Sequence, residues 1–244
     1  MISLIEAKNS PGHKHRGTGC FLVGSGPSLN QVDVARLAQI NTISFNRSYV
    51  AWERWGFAPT LYACLDPAGL PGNALEIRDL IEVYPGTHFF LHESAHSFGI
   101  RPSIHVSLVG MTSGHSFSED ILALTDFGNV GATSIQILKL LGYKRVAMVG
   151  VDAQYNHIHD KLVSVQASGF ALIDEDPDHF CSEYGRGKTR LAFPDLDKIL
   201  GQWPAVAKEC ERNSIAVRNA SSGSALECFP KTDFDSAIEW VLRG

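Results

Sequence analysis

The residue types that suit chemistry fall in three stretches. Residues 24–28 read Gly-Ser-Gly-Pro-Ser. Glycines Gly24 and Gly26 let backbone N–H groups approach an anionic ligand closely, and the Ser25 and Ser28 hydroxyls add donors. Residues 128–134 read Gly-Asn-Val-Gly-Ala-Thr-Ser and open an apolar run, so Asn129, Val130 and Gly131 fall at a helix N-terminus, a second place where N–H groups meet negative charge. The stretch 152–193 holds His157, His159 and His179, with tyrosine and phenylalanine rings and several acids. One such histidine suits a general base, because imidazole exchanges its proton near neutral pH. Each stretch also has a plain structural alternative: a tight turn, a capped core helix and a solvated loop.

Several better-known motifs are approached and missed. Leu29 stands where the third glycine of G-x-G-x-x-G belongs, Pro27 removes an N–H from the loop, and Asn46 stands where a dinucleotide site needs an acid. The run SEYGRGKT at 182–189 imitates a phosphate loop, but Ser182 replaces its first glycine and no apolar strand precedes it. Arg186, Lys188 and Arg190 there offer positive charge to a phosphate or form a solvated basic turn. His157, His159 and Asp160, then His179 and Cys181, match no regular metal-ligand spacing, so no metal ligands are assigned. The nucleophile motif G-x-S-x-G is absent.

Positioning these residues requires an alternating α/β chain. Short apolar runs predict strands at 19–24, 42–46, 61–66, 87–92, 104–109, 145–150 and 214–219. Helical patterns fall at 31–39, 48–55, 73–83, 131–142, 195–213 and 233–243. Strands apolar throughout and separated by helices predict a mainly parallel sheet covered on both faces. Ligands of such sheets lie beyond the carboxyl ends of the strands. That rule selects Gly24 to Ser28, Asn46, Asp66 and Asp152. Residues 1–18 read as a lead-in and 19–244 as a single nucleotide-binding domain, with 152–193 as a lid insertion.

Composition removes other classes. The chain has 244 residues, 44% hydrophobic and 19% charged, with a net charge of −5. Those are globular values, and the negative balance disfavours nucleic acid as a partner. No apolar run is long enough to span a bilayer, and no signal-peptide core precedes residue 18. Five cysteines without a C-x-x-C pair predict reduced thiols and a cytoplasmic protein.

GSGPSLNQVDVARL, then SFNRSY, then LDP, then GNVGATSIQILKLLGYKRVAMVGVDAQY resemble, in order, the bacterial sialyltransferases that use CMP-sialic acid. They also resemble the wider group of motility-associated flagellin glycosylation factors and MptE-like 6-hydroxymethylpterin diphosphokinases. The resemblance covers residues 19–66 and 128–244 and leaves 68–127 unmatched. It implies a Rossmann-like, GT-A-variant fold and a glycosyltransferase of surface-glycan or lipopolysaccharide synthesis. It further implies a CMP-activated donor, a glycan or small-molecule acceptor, and no obligatory metal. A homo-oligomer is left open.

Carried over residue by residue, the donor contacts become Gly24, Ser25, Gly26, Pro27, Ser28 and Asn46. Asp66 replaces the family's asparagine, and Asn129, Val130 and Gly131 replace its Thr-Ser-Gly. The lid tyrosines that assist phosphate departure correspond to Gln154 or Tyr155 and to Tyr184. His179 matches the first histidine of H-Y-x-G-H-S, with Glu183 near the second, and His179 becomes the expected base. The alternative within the group is a pyrophosphokinase in which Asp66 and Asp152 sit beside Mg²⁺. A non-catalytic sugar-nucleotide-binding protein is the third reading.

Overall fold

A computed structural model describes residues 19–154, 162–165, 170–173, 178–185, 191–192 and 196–243. The strands are β1 (Gly19–Val23), β2 (Thr42–Phe45), β3 (Leu61–Cys64), β4 (His88–His92), β5 (Val106–Thr112), β6 (Ala123–Thr125), β7 (Arg145–Val149), β8 (Leu162–Val165), β9 (Phe170–Ile173), β10 (Leu191–Ala192) and β11 (Ala216–Asn219). The helices are α1 (Trp52–Trp55), α2 (Ala74–Val83), α3 (Val130–Leu140), α4 (Leu196–Arg212) and α5 (Phe234–Leu242).

Eight strands form one sheet in the order β11-β7-β1-β2-β3-β4-β5-β6. Every pairing within it is parallel. The fold is therefore the expected α/β, Rossmann-like one. Strands buried on both faces need apolar residues at every position, which is why they read as unbroken runs. Cys20 and Leu22 point into a core shared with Ile135 and Leu138 of α3, while Phe21 and Val23 join Trp52, Ala237 and Val241 on the other face.

The chain leaves β1 to build β2 through β6 on one side, then returns to lay β7 on the other. The β1/β7 boundary is thus the topological switch point, where parallel sheets open a crevice at their carboxyl ends. Val23 pairs with Val149 and with Ser44, so the ends of β7, β1 and β2 are level.

Some elements differ from expectation. The helix predicted over 31–39 is two 3₁₀ turns, Pro27–Gln31 and Val34–Leu37, because Val32 and Asp33 between them are extended. The helix predicted over 48–55 is a 3₁₀ turn, Asn46–Ala51, running into α1, which ends at Gly56 with φ +75°. β6 is only three residues long and gave no pattern. The stretch left without elements between 152 and 193 contains β8, β9 and β10, which form a small antiparallel sheet. Among the described residues no helix is long and apolar enough to cross a membrane. All five cysteines are free, with Cys20, Cys64 and Cys210 buried.

Candidate functional site

The loop after β1 is closed against the loop after β7. Gly24 N donates to Val149 O at 2.8 Å and Gly26 N to Gly150 O at 2.7 Å. A Cβ at Gly24 would lie 2.2 Å from Gly150 O, and one at Gly26 would lie 2.5 Å from the Asp152 carboxylate. The glycines are therefore required by the approach of the chain to itself. Ser28 N donates to Asp152 Oδ2 at 2.8 Å, and the Ser28 hydroxyl donates to Asp152 Oδ1. Pro27 has no N–H and starts the 3₁₀ turn. What the loop still offers is the Ser25 N–H, which has no partner among the described residues.

The β7 side is braced from behind by the turn after β11. Val151 N donates to the Ser221 hydroxyl at 2.9 Å, the Ser224 hydroxyl donates to Val151 O at 2.7 Å, and Ala225 N donates to Asp152 O at 2.8 Å. Gln154 Nε2 donates to Gly223 O at 2.5 Å, so this residue faces that brace. Ala153 holds a left-handed φ of +52°, which a non-glycine residue keeps only where its surroundings enforce it.

Asn46, the first residue past β2, is also left-handed, with φ +51°. Its carbonyl accepts from the Tyr62 hydroxyl at 2.6 Å, which fixes the turn. Burial, then the neighbouring Cys64, Tyr49 and Tyr184, push the Tyr62 pKa well up, so its hydroxyl stays a donor. Beside Asn46, the N-terminus of α3 packs on Phe45: a Cβ at Gly131 would lie 3.3 Å from Phe45 Cζ. Asn129 caps that helix, accepting from Ala132 N at 2.8 Å, while its buried Nδ2 has no partner among the described residues. Val130 is the first residue of the helix.

The segment 178–185 comes back over the β1 loop. Phe180 N donates to Ser25 O at 2.8 Å, and Asn30 Nδ2 donates to Phe180 O at 2.7 Å. The Phe180 ring packs on Trp55 at 5.9 Å. These contacts hold the segment that carries His179 and Tyr184, whose rings stack at 3.9 Å and 13°. The turn carrying Tyr184 packs on the Asn46–Ala51 turn.

The structure thus links Ser25 to the segment that carries His179 and Tyr184, that segment to the Asn46 turn, and Gly131 to Phe45 beside Asn46. Gly24, Gly26, Ser28 and Asp152 are joined at the ends of β1 and β7, with Pro27 in the same loop and Gln154 held on the Gly223 brace. Asp66 stands apart, three strands from Asp152 in the sheet order. Asp66 Oδ1 accepts from Ala68 N at 2.8 Å and closes a local turn. Among the described residues no group of three His, Cys, Asp or Glu side chains is placed to hold a metal. Tyr155, His157, His159, Arg186, Lys188 and Arg190 lie outside the described residues.

Sequence reasoning passed over Arg47, Tyr62, Phe180 and the Ser221–Ser224 brace. Tyr62 was hidden inside an apolar strand run, and the brace had a weak signal in its Asn-Ala-Ser-Ser-Gly-Ser run directly after a strand.

No family model and no curated protein matches the sequence. Solved structures do. The sialyltransferase CstII from Campylobacter jejuni, in complex with the substrate analogue cytidine-5′-monophosphate, aligns over 89% of this chain and 86% of its own, at 12% identity and TM-score 0.51. An α-2,3-sialyltransferase from the same organism in apo form aligns over 88% and 80%, at 11% identity and TM-score 0.47. The MAf glycosyltransferase from Magnetospirillum magneticum AMB-1 aligns over 99% of this chain at 15% identity and TM-score 0.48, and the chain spans 42% of that protein. At 12% identity the likeness to CstII is one of fold.

Proposed function

We propose that the chain is a glycosyltransferase of the sialyltransferase-like kind, acting on a CMP-activated donor sugar without an obligatory metal. One observation carries the reading. The 178–185 segment is anchored on the β1 loop through Ser25 and Asn30, and it sets a stacked His179–Tyr184 pair at the switch-point crevice. The CMP complex of CstII, a neighbour in fold, supports cytidine monophosphate as the handle to test first.

In this reading the donor ionises through an oxocarbenium-like state. The enzyme then has to stabilise the departing phosphate and take a proton from the acceptor hydroxyl. The Ser25 N–H and the N-terminus of α3 supply donors fixed before the reaction begins, and the Tyr184 hydroxyl adds another. His179 takes the acceptor proton. The insertion 152–193 acts as a lid that excludes water, which would otherwise consume the donor.

The test is release of CMP from CMP-sialic acid by the full chain in EDTA. Turnover above the buffer rate is expected, and His179→Ala is expected to slow it about 100-fold, the low end of general-base catalysis. Failure of the wild-type chain to bind CMP or release it from the donor overturns the proposal.

A further inference from the structure

Two nitrogens of the Arg47 guanidinium, Nε and Nη1, are shielded from water and have no hydrogen-bond partner among the described residues. Unpaired buried donors in a native fold call for a specific cause. The Tyr49 hydroxyl is in hydrogen-bonding contact with the guanidinium, and burial and then Glu76 hold that phenol protonated, so it brings no negative charge. Its hydroxyl is engaged with Asn73 Oδ1 at 3.1 Å and with the Glu76 carboxylate.

The location of Arg47 matters as much as its empty donors. It is the second residue of the Asn46–Ala51 turn, at the carboxyl end of β2. The Tyr62 hydroxyl from β3 pins that turn, and the Tyr184 turn packs on it. Asn73 and Glu76, which hold the Tyr49 hydroxyl beside the guanidinium, belong to the segment that follows β3, so Arg47 lies between the turns that follow β2 and β3. A planar, permanently charged group with several donors suits the paired oxygens of a carboxylate or phosphate.

We infer that Arg47 is the anion receptor of the crevice, its unpaired nitrogens taking the carboxylate or phosphate oxygens of the bound ligand. The inference rests on the reading of the crevice as a sugar-nucleotide site.

The experiment compares the wild-type chain with Arg47→Gln and Arg47→Lys. Calorimetry follows cytidine, CMP, inorganic phosphate, N-acetylneuraminic acid and CMP-sialic acid, and melting is recorded without ligand. If the anion is the phosphate, Arg47→Gln weakens inorganic phosphate and CMP about 10- to 100-fold and leaves cytidine unchanged. If it is the sugar carboxylate, the same loss falls on N-acetylneuraminic acid and CMP-sialic acid, while CMP is unchanged. Arg47→Lys keeps the charge and recovers part of the loss. Both variants should melt close to wild type, since Nε and Nη1 make no hydrogen bond among the described residues that the substitutions could remove. Equal binding of every anionic probe to wild type and Arg47→Gln overturns the inference, as does a wild-type chain that binds none of them. Arg47-dependent binding of phosphate or N-acetylneuraminic acid without any binding of CMP compounds leaves the inference standing and removes the sugar-nucleotide reading.

Discussion

At the ends of β1 and β7 the N–H groups of Gly24, Gly26, Ser28 and Leu29 all reach protein acceptors. At the ends of β2 and β3, Arg47 keeps two buried nitrogens without a partner among the described residues, and Asn46 holds a left-handed backbone pinned by Tyr62. The first rim carries the glycine-rich stretch that announces a ligand loop in the sequence. The second carries nothing that looks like a motif. Yet the first, apart from the Ser25 N–H, is satisfied within the fold, while the second retains two buried donors that a ligand would answer. A glycine-rich turn shows that something must approach closely, and here most of what approaches is the chain itself. Binding capacity is better located by donors left empty than by donors that are merely present.

The comparison breaks if the β1/β7 rim tolerates change. Gly24→Ala forces a Cβ to within 2.2 Å of a backbone carbonyl. Overpacking of this kind is expected to destabilise the fold by about 3 kcal/mol or more, read as a fall in the urea midpoint. An unchanged midpoint would mean that the two loops are not sealed. Asp152→Ala strips the acceptor from both Ser28 donors. Its expected loss is about 2 kcal/mol in the same assay, since each of the two hydrogen bonds removed contributes about 1 kcal/mol.

Smaller effects sharpen the other rim. Tyr62→Phe removes the hydroxyl that holds Asn46 O at 2.6 Å. A stability loss of about 1 kcal/mol is expected. The more telling readout is a weaker affinity for CMP, because the turn carrying Asn46 and Arg47 loses its anchor. The smallest effect is a pH dependence. Burial, then Asp66, push the Cys64 thiol at the end of β3 up to about 12. An unfolded thiol titrates at about 8.5, so the stability contribution of Cys64 is full below that pH and is lost as pH rises toward 12. At about pH 8 a thiol reagent should modify half-buried Cys181, in the segment over Ser25, well before Cys64. Equal rates would show that the β3 rim is wet.

Much of this architecture was legible in the residue order, for physical reasons. Runs such as Cys20 to Val23 and Val146 to Val149 are buried on both faces, so their apolar continuity marked strands. The rule that ligands lie beyond the carboxyl ends of parallel strands selected Gly24 to Ser28, Asn46, Asp66 and Asp152 from the residue order alone. The predicted helix over 31–39 failed because extended Val32 and Asp33 interrupt an otherwise apolar period. Of the candidate residues, Gly24, Gly26 and Asp152 were visible as constrained, but the pattern could not say that they constrain one another. Arg47 was silent because an arginine after a strand reads as a solvated charge. Only the three-dimensional neighbourhood shows two of its nitrogens shut off from water.

The most direct test of the crevice as a metal-independent cytidine-nucleotide site is a thermal-shift panel of CMP, UDP, GDP and ATP, each with EDTA and with Mg²⁺. A ligand at 100 times its Kd adds about 2.7 kcal/mol of stability. For a chain of this size that is a rise of about 5–10 °C. Stabilisation by CMP that survives EDTA is the expected result. Stabilisation by ATP alone, and only with Mg²⁺, would contradict it and move the chemistry to pyrophosphoryl transfer.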